Sequence, residues 1–221
     1  MDAIVLAGGR ATRLGGTPKP SLISPMGVTA LALVLDACRQ AGVRHVVVVG
    51  PPDQIGQAIV DKRQLSRVVV VQENPPWSGP ARGVAAGVAA LGQMTRDEPA
   101  TGEDAFLVVA CDMPGVAPGI QVLLDTGIIG DGLLATAEGH DQWMLGLYRR
   151  AALAAACDCL PQTPPGGREP SMRKLLGKLA LTRVTVPATA VDDLDTPDDL
   201  ARLRFVQSTL GTMTGTRPQV V

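Results

Sequence analysis

Three cations stand in one glycine-rich stretch, LAGGRATRLGGTPKP, Leu6 to Pro20: Arg10, Arg13 and Lys19, with no acid among the 15 residues. Guanidinium forks match phosphate oxygens bidentately, and a lysine ammonium meets them as a point charge. The glycines at 8, 9, 15 and 16 allow positive φ and close backbone approach, so that amide N–H groups can face an anion. A triphosphate is the natural ligand of such a segment. Further along, Asp112 in LVVACDMP and Asp193 and Asp195 in VDDLDTP supply carboxylates. Magnesium is typically held by one or two protein carboxylates plus substrate phosphates, so Asp112 opposite these cations is a candidate Mg²⁺ ligand, with Asp195, or alternatively Asp193, as a second. Asp195 has an alternative use in shaping the start of the helix that follows it.

Several chemistries are excluded by spacing. No GxxxxGK[ST] run is present, and no GxGxxG follows the first apolar stretch, where the loop instead continues through Pro18, Lys19 and Pro20. Two histidines and four cysteines without a CxxC pair make neither a nucleophilic triad, a zinc site nor a disulfide framework. The cysteines are expected to be small buried thiols.

The elements that must position these residues follow from the apolar pattern. Runs at 3–7, 46–50, 68–72 and 105–110 are apolar on both faces, which marks central strands of a largely parallel sheet covered on both sides. Between them, 29–42 carries helical spacing and stops at Gly42, 53–65 opens with Asp53 as an N-cap, and 81–94 is a helix of small residues. In the second half, 132–138 and 143–150 form two strands joined by GHDQ, an antiparallel addition to the sheet. After the Pro/Gly loop 161–170 come a short helix at 171–179, a strand at 181–187 and a last helix with Thr196 as N-cap and Pro197 at its first position. The expected fold class is α/β: a three-layer Rossmann-like fold with a mostly parallel sheet, one antiparallel addition and helices on both faces. Residues 1–207 make one domain, and 208–221, without periodicity, are expected to be a disordered tail. With aromatics at 2%, the core must be aliphatic and the helices must pack closely through small residues. Ligands of such folds bind at the carboxyl ends of the strands, where both the opening loop and Asp112 fall.

Charge is balanced at 20 basic and 21 acidic residues, so no nucleic-acid or membrane surface is indicated and anion binding must be local. The opening MDAIVLAGG lacks a basic region and a long apolar run, which points to the cytoplasm. Oligomeric state is left open.

The motifs LAGGRATRLGG, PKP, SGPARG, CDMP and DLDTPDDL, in that order to about Arg204, resemble the nucleotidyltransferases of GT-A-like, nucleotide-diphospho-sugar transferase type. Among these the chain looks most like the molybdenum cofactor guanylyltransferases. The resemblance implies that Leu6, Ala7, Gly8 and Gly9 wrap base and ribose, with Arg10 beside them. It implies that Arg13 and Lys19 hold phosphates, that Glu73, Gly79, Pro80 and Gly83 border the nucleotide, and that Asp112 carries Mg²⁺. The implied activity moves GMP from GTP to a phosphorylated acceptor, molybdopterin, and releases pyrophosphate. Two departures stand out: Pro18-Lys19 where the guanylyltransferases have Asp-Lys, and Asp193-Leu194-Asp195 where they have Asn-x-Asn. Both are closer to sugar-1-phosphate and cytidylyl transferases, the alternative within the same chemistry. A non-catalytic nucleotide-binding regulator is the alternative from another class.

Overall fold

The computed structural model describes residues 1–9, 11–59, 68–96, 105–163 and 169–207. Seven strands form one sheet in the order β3-β2-β1-β4-β6-β5-β7: β1 Asp2–Leu6, β2 Val46–Val49, β3 Val68–Val71, β4 Ala105–Ala110, β5 Gly132–Ala137, β6 His140–Arg149 and β7 Leu181–Thr185. Only β6 runs against the rest, inserted between β4 and β5 as the return arm of a hairpin. The mostly parallel sheet with one antiparallel addition is thus the observed fold.

The helices are α1 Ala30–Gln40, α2 Pro52–Ala58, α3 Gly79–Met94, α4 Ala117–Thr126, α5 Arg150–Asp158, α6 Met172–Leu176 and α7 Pro197–Leu203. They divide by the face they cover. Along β1, Ala3 and Val5 join a cluster with α1, α2 and α4, while Ile4 and Leu6 join one with α3, α5 and α6. This period of two on a strand buried throughout is what the unbroken apolar run required. Small residues allow the close contact: a Cβ added to Gly87 of α3 would meet Ile4 Cγ2 at 2.6 Å.

Some expectations need correction. The run at 68–72 is not a central strand, because β3 lies at the sheet edge with Val69 exposed. Asp53 is not the cap of α2: Pro51 is, and Asp53 sits in the first turn, while residues 60–65 of the expected helix lie outside the described residues. Cys38 and Cys111 are buried, yet Cys157 is half-buried and Cys159 exposed, all four as free thiols. Two helices, α4 and α5, fill stretches without an assigned element. The tail 208–221 lies outside the described residues. Among the described residues no helix is long and apolar enough to cross a membrane.

Candidate active site

Residue pairing fixes where the strands end. Leu6 is level with Val49 on one side and Ala110 on the other, so the loops after β1, β2 and β4 leave the sheet at one edge. The glycine-rich loop is anchored there rather than free. Ala7 N–H donates to Val49 O at 2.7 Å, and Gly50 has no room for a side chain, since a Cβ would lie 2.8 Å from the Ala7 carbonyl. In mid-loop, the short 3₁₀ turn Thr12–Leu14 follows Ala11 in a left-handed conformation and buries Leu14 among Leu22, Leu194, Leu200 and Phe205. Exposed Arg13 is therefore held between buried anchors.

A second 3₁₀ turn, Lys19–Ser21, buries Pro20 and Ser21 and directs Lys19 inward. Its Nζ lies 2.7 Å from Asp112 Oδ2 and 2.8 Å from Asp195 Oδ1, and Arg13 Nη1 donates to the other oxygen of Asp195. Four residues from three distant segments thus form one charge cluster. Leu194 N–H donates to the Asp112 carbonyl at 3.0 Å, which ties the two acidic loops together. Capping of α7 belongs to Thr196 and Asp199, which form a reciprocal capping box, so Asp195 is released to face the cations.

The cluster is partly buried, with side-chain exposures of 18% for Lys19, 15% for Asp112 and 33% for Asp195, so screening by salt is limited there. Burial opposes the charge on Lys19, but Asp112 and Asp195 outweigh it and hold the ammonium above the ordinary lysine range. The hydrogen bond from Lys19, with help from Arg13, holds the Asp195 carboxyl below the ordinary carboxylate value. Asp193, exposed at the rim of the cluster, is pushed up by partial desolvation and by the charge of Asp112.

A cleft opens over this cluster. Leu6, Ala7, Gly8, Gly9, Lys19, Asp112, Met144 and Asp193 are among its walls. Glu73 is buried near it: its Oε1 accepts the Trp77 N–H at 3.0 Å and would lie 3.7 Å from a Cβ on Gly8. Across the loop, Gly9, Gly16, Pro18, Gln54 and Trp77 bound a second groove. Gly79, Pro80 and Gly83 stand in the first turns of α3, off the cleft wall, with Gly83 packed beneath Leu6. Arg10 lies outside the described residues. Met144 and Gln54 were not foreseen. Met144 lies in a stretch read only as strand, and its place depends on a β5–β6 register slip that no local spacing announces.

A parallel-edge cleft that joins a glycine-rich loop, a lysine and a strand-end aspartate defines an α/β protein with its ligand site at the carboxyl ends of the strands, and the family match makes it a nucleotidyltransferase. The chain belongs to the MobA-like NTP transferase domain family, whose model matches residues 3–181. No curated protein sequence matches it. Among solved structures, Rv0371c from Mycobacterium tuberculosis H37Rv is 23% identical with a TM-score of 0.67, covering 91% of this chain and 96% of that one. A nucleotidyl transferase from Methanothermobacter, Mth528, is 22% identical with a TM-score of 0.64, covering 92% and 95%. A complex of Rv0371c with manganese is 22% identical with a TM-score of 0.64, covering 91% and 96%. At these identities the likeness extends to the fold.

Proposed function

We propose that the chain transfers a nucleoside monophosphate, GMP from GTP in the first instance, to a phosphate-bearing acceptor such as molybdopterin, with release of pyrophosphate. The observation that carries this reading is the convergence of Arg13, Lys19, Asp112 and Asp195 at the carboxyl edge beside the glycine-rich loop. The base and ribose lie along Leu6 to Gly9, with Glu73 beside them and the first turns of α3, Gly79, Pro80 and Gly83, behind. The triphosphate then points toward Lys19 and Arg13.

A phosphate monoester has a second pKa of about 6, so the acceptor arrives as a nucleophile near neutral pH without a general base. One of its oxygens attacks the α-phosphorus in line, the bridging bond to the β-phosphate breaks, and pyrophosphate leaves with that electron pair. Lys19 and Arg13 neutralise the charge that gathers on the phosphate oxygens, and the anchored loop fixes the geometry of attack. The donor set fits a hard divalent cation. Oxygens of Asp112 and Asp195 already converge on one ammonium, and Mg²⁺ there would supply Lewis-acid charge neutralisation. The manganese complex of Rv0371c supports a divalent ion in this fold.

The sugar-1-phosphate or cytidylyl alternative is favoured by one observation. An acid, Asp195, holds Lys19 and Arg13 where the guanylyltransferases have an asparagine. Calorimetric titration with GTP, CTP, UTP, dTTP and ATP, with and without Mg²⁺, separates the branches. We expect selective GTP binding that Mg²⁺ strengthens and Asp112→Ala weakens at least tenfold. Selectivity for CTP, UTP or dTTP would move the chain to the alternative, and no triphosphate binding would overturn the reading. A triphosphate substrate favours a cytoplasmic setting for this reaction.

A further inference from the structure

The strand that brings Met144 to the nucleotide cleft brings its neighbour Trp143 to another cavity, bounded by Asp141, Trp143, Arg173, Gly177 and Arg183. Its volume of about 420 Å³ is that of a small-molecule site, roughly 300–1,000 Å³. The cause is a slip in pairing. Leu134 pairs with Gly146 but Thr136 pairs with Asp141, so residues of β6 are left over between these pairs at the carboxyl edge. Such irregularities re-aim side chains. By strict alternation Trp143 would share the face of Leu145, which packs toward α1 and α4, yet it packs with the opposite cluster beside α6. Consecutive residues therefore serve two adjacent hollows.

The charges in this cavity are unequal. Asp141 is taken by Arg183, which donates from Nε at 2.7 Å and Nη2 at 3.0 Å in a fork. Arg173, in the first turn of α6, makes no side-chain hydrogen bond or ion pair among the described residues. The cavity thus sets two guanidinium groups, Arg183 and Arg173, against the single carboxylate of Asp141, next to a half-buried indole.

We propose that this cavity is a docking subsite for the acceptor's far end. An anionic group is received by Arg173, a flat or apolar segment lies on the Trp143 indole, and the attacked phosphate lies across Met144 in the cleft. The inference rests on the nucleotidyl-transfer reading and narrows the acceptor class. It must carry a second anionic group besides the phosphate that is attacked, which a simple hexose 1-phosphate lacks.

The test uses the full chain with Trp77→Phe, which leaves Trp143 as the single tryptophan, since the sequence has two. The probes are 8-anilinonaphthalene-1-sulfonate, an apolar ring system with one anion, and its neutral relative N-phenyl-1-naphthylamine. We expect energy transfer from Trp143 to the sulfonate, affinity about tenfold weaker in Arg173→Ala and partly restored in Arg173→Lys, and no effect of saturating GTP and Mg²⁺ on the bound probe. The neutral probe should bind alike in all variants. Absence of transfer, or an affinity indifferent to Arg173→Ala, overturns the subsite; displacement by GTP assigns the cavity to the nucleotide. GTP titrations of the same proteins keep the two readings apart, because a failure of GTP binding concerns the reaction and not this cavity.

Discussion

Lys19 is placed where two carboxylates meet, and this has a consequence for metal binding. A divalent ion arriving alone must displace an ammonium only 18% exposed and leave it without a partner, which is costly in a partly buried site. A triphosphate arriving with the ion gives Lys19 new oxygens. Metal and nucleotide are therefore expected to bind as a pair, each weakly without the other. Lys19→Met removes the competing charge while keeping the length of the side chain, and leaves Asp112 and Asp195 facing one another as like charges. We expect Mn²⁺ alone to bind this variant about tenfold tighter than the wild type, measured by electron paramagnetic resonance of the free ion, while GTP binding in the presence of metal falls. Unchanged Mn²⁺ affinity would mean that these carboxylates do not form the metal site. The sequence disclosed the members of this cluster by type and by place at strand ends. It did not disclose that Lys19 would sit on Asp195, 176 residues away, because pairing across such a separation is decided by the whole sheet.

Two elements can be tested through their packing. On α3, Gly87 and Gly92 both lower helix propensity, but only Gly87 is pressed against the sheet: its Cβ would meet Ile4, whereas nothing lies within 4 Å at Gly92. Gly92→Ala should stabilise the protein by about 0.5–1 kcal/mol. Gly87→Ala should destabilise it by ~1 kcal/mol net, because overpacking of a close-packed core outweighs the gain in propensity. Urea unfolding midpoints at constant slope decide the matter, and equal stabilisation by both would show that α3 does not sit this close to β1. On α7, Thr196→Ala removes the hydroxyl that accepts from Asp199 N–H and donates to Asp199 Oδ2, at about 1 kcal/mol. The same hydrogen bond lowers the Asp199 pKa from the ordinary 3.8. A carboxyl depressed on folding adds stability that is present above its unfolded value and lost as pH falls through the folded one. The difference between wild type and Thr196→Ala should hold at pH 7 and shrink below about pH 4. Of the helices, α4 begins with Ala-Pro-Gly, punctuation that suggests a loop, and α5 follows β6 with no intervening residue. Neither start carries the local signals on which sequence reasoning depends.

At the scale of the molecule, the alternation of buried strands and helices was legible because a strand covered on both faces must be largely apolar, as β4 is throughout and β1 is from Ala3 onward. Strand order was not. The edge position of β3 and the insertion of β6 depend on which strands find one another, and an apolar run of four valines is the same in either place. The chain's end is another long-range feature, with a direct bearing on the active site. Ile23 and Val206 exchange N–H···O bonds of 2.8 Å in both directions, Gln207 Nε2 reaches the Leu14 carbonyl at 3.3 Å, and Phe205 packs with Leu14 and Leu22. The segment after α7 thus closes over the loop that carries Arg13 and Lys19. Ending the chain after Gln207 should leave the melting temperature and GTP affinity unchanged, as expected if residues 1–207 are the folding unit. Ending it after Arg204 removes a buried phenylalanine, a loss of about 3–5 kcal/mol, and frees Leu14 on its outer side. That shorter chain should melt lower and bind GTP at least tenfold more weakly even where it remains folded. Equal GTP affinity in the two truncations, at a temperature where both are folded, would show that the loop keeps its phosphate-binding shape without the C-terminal clamp.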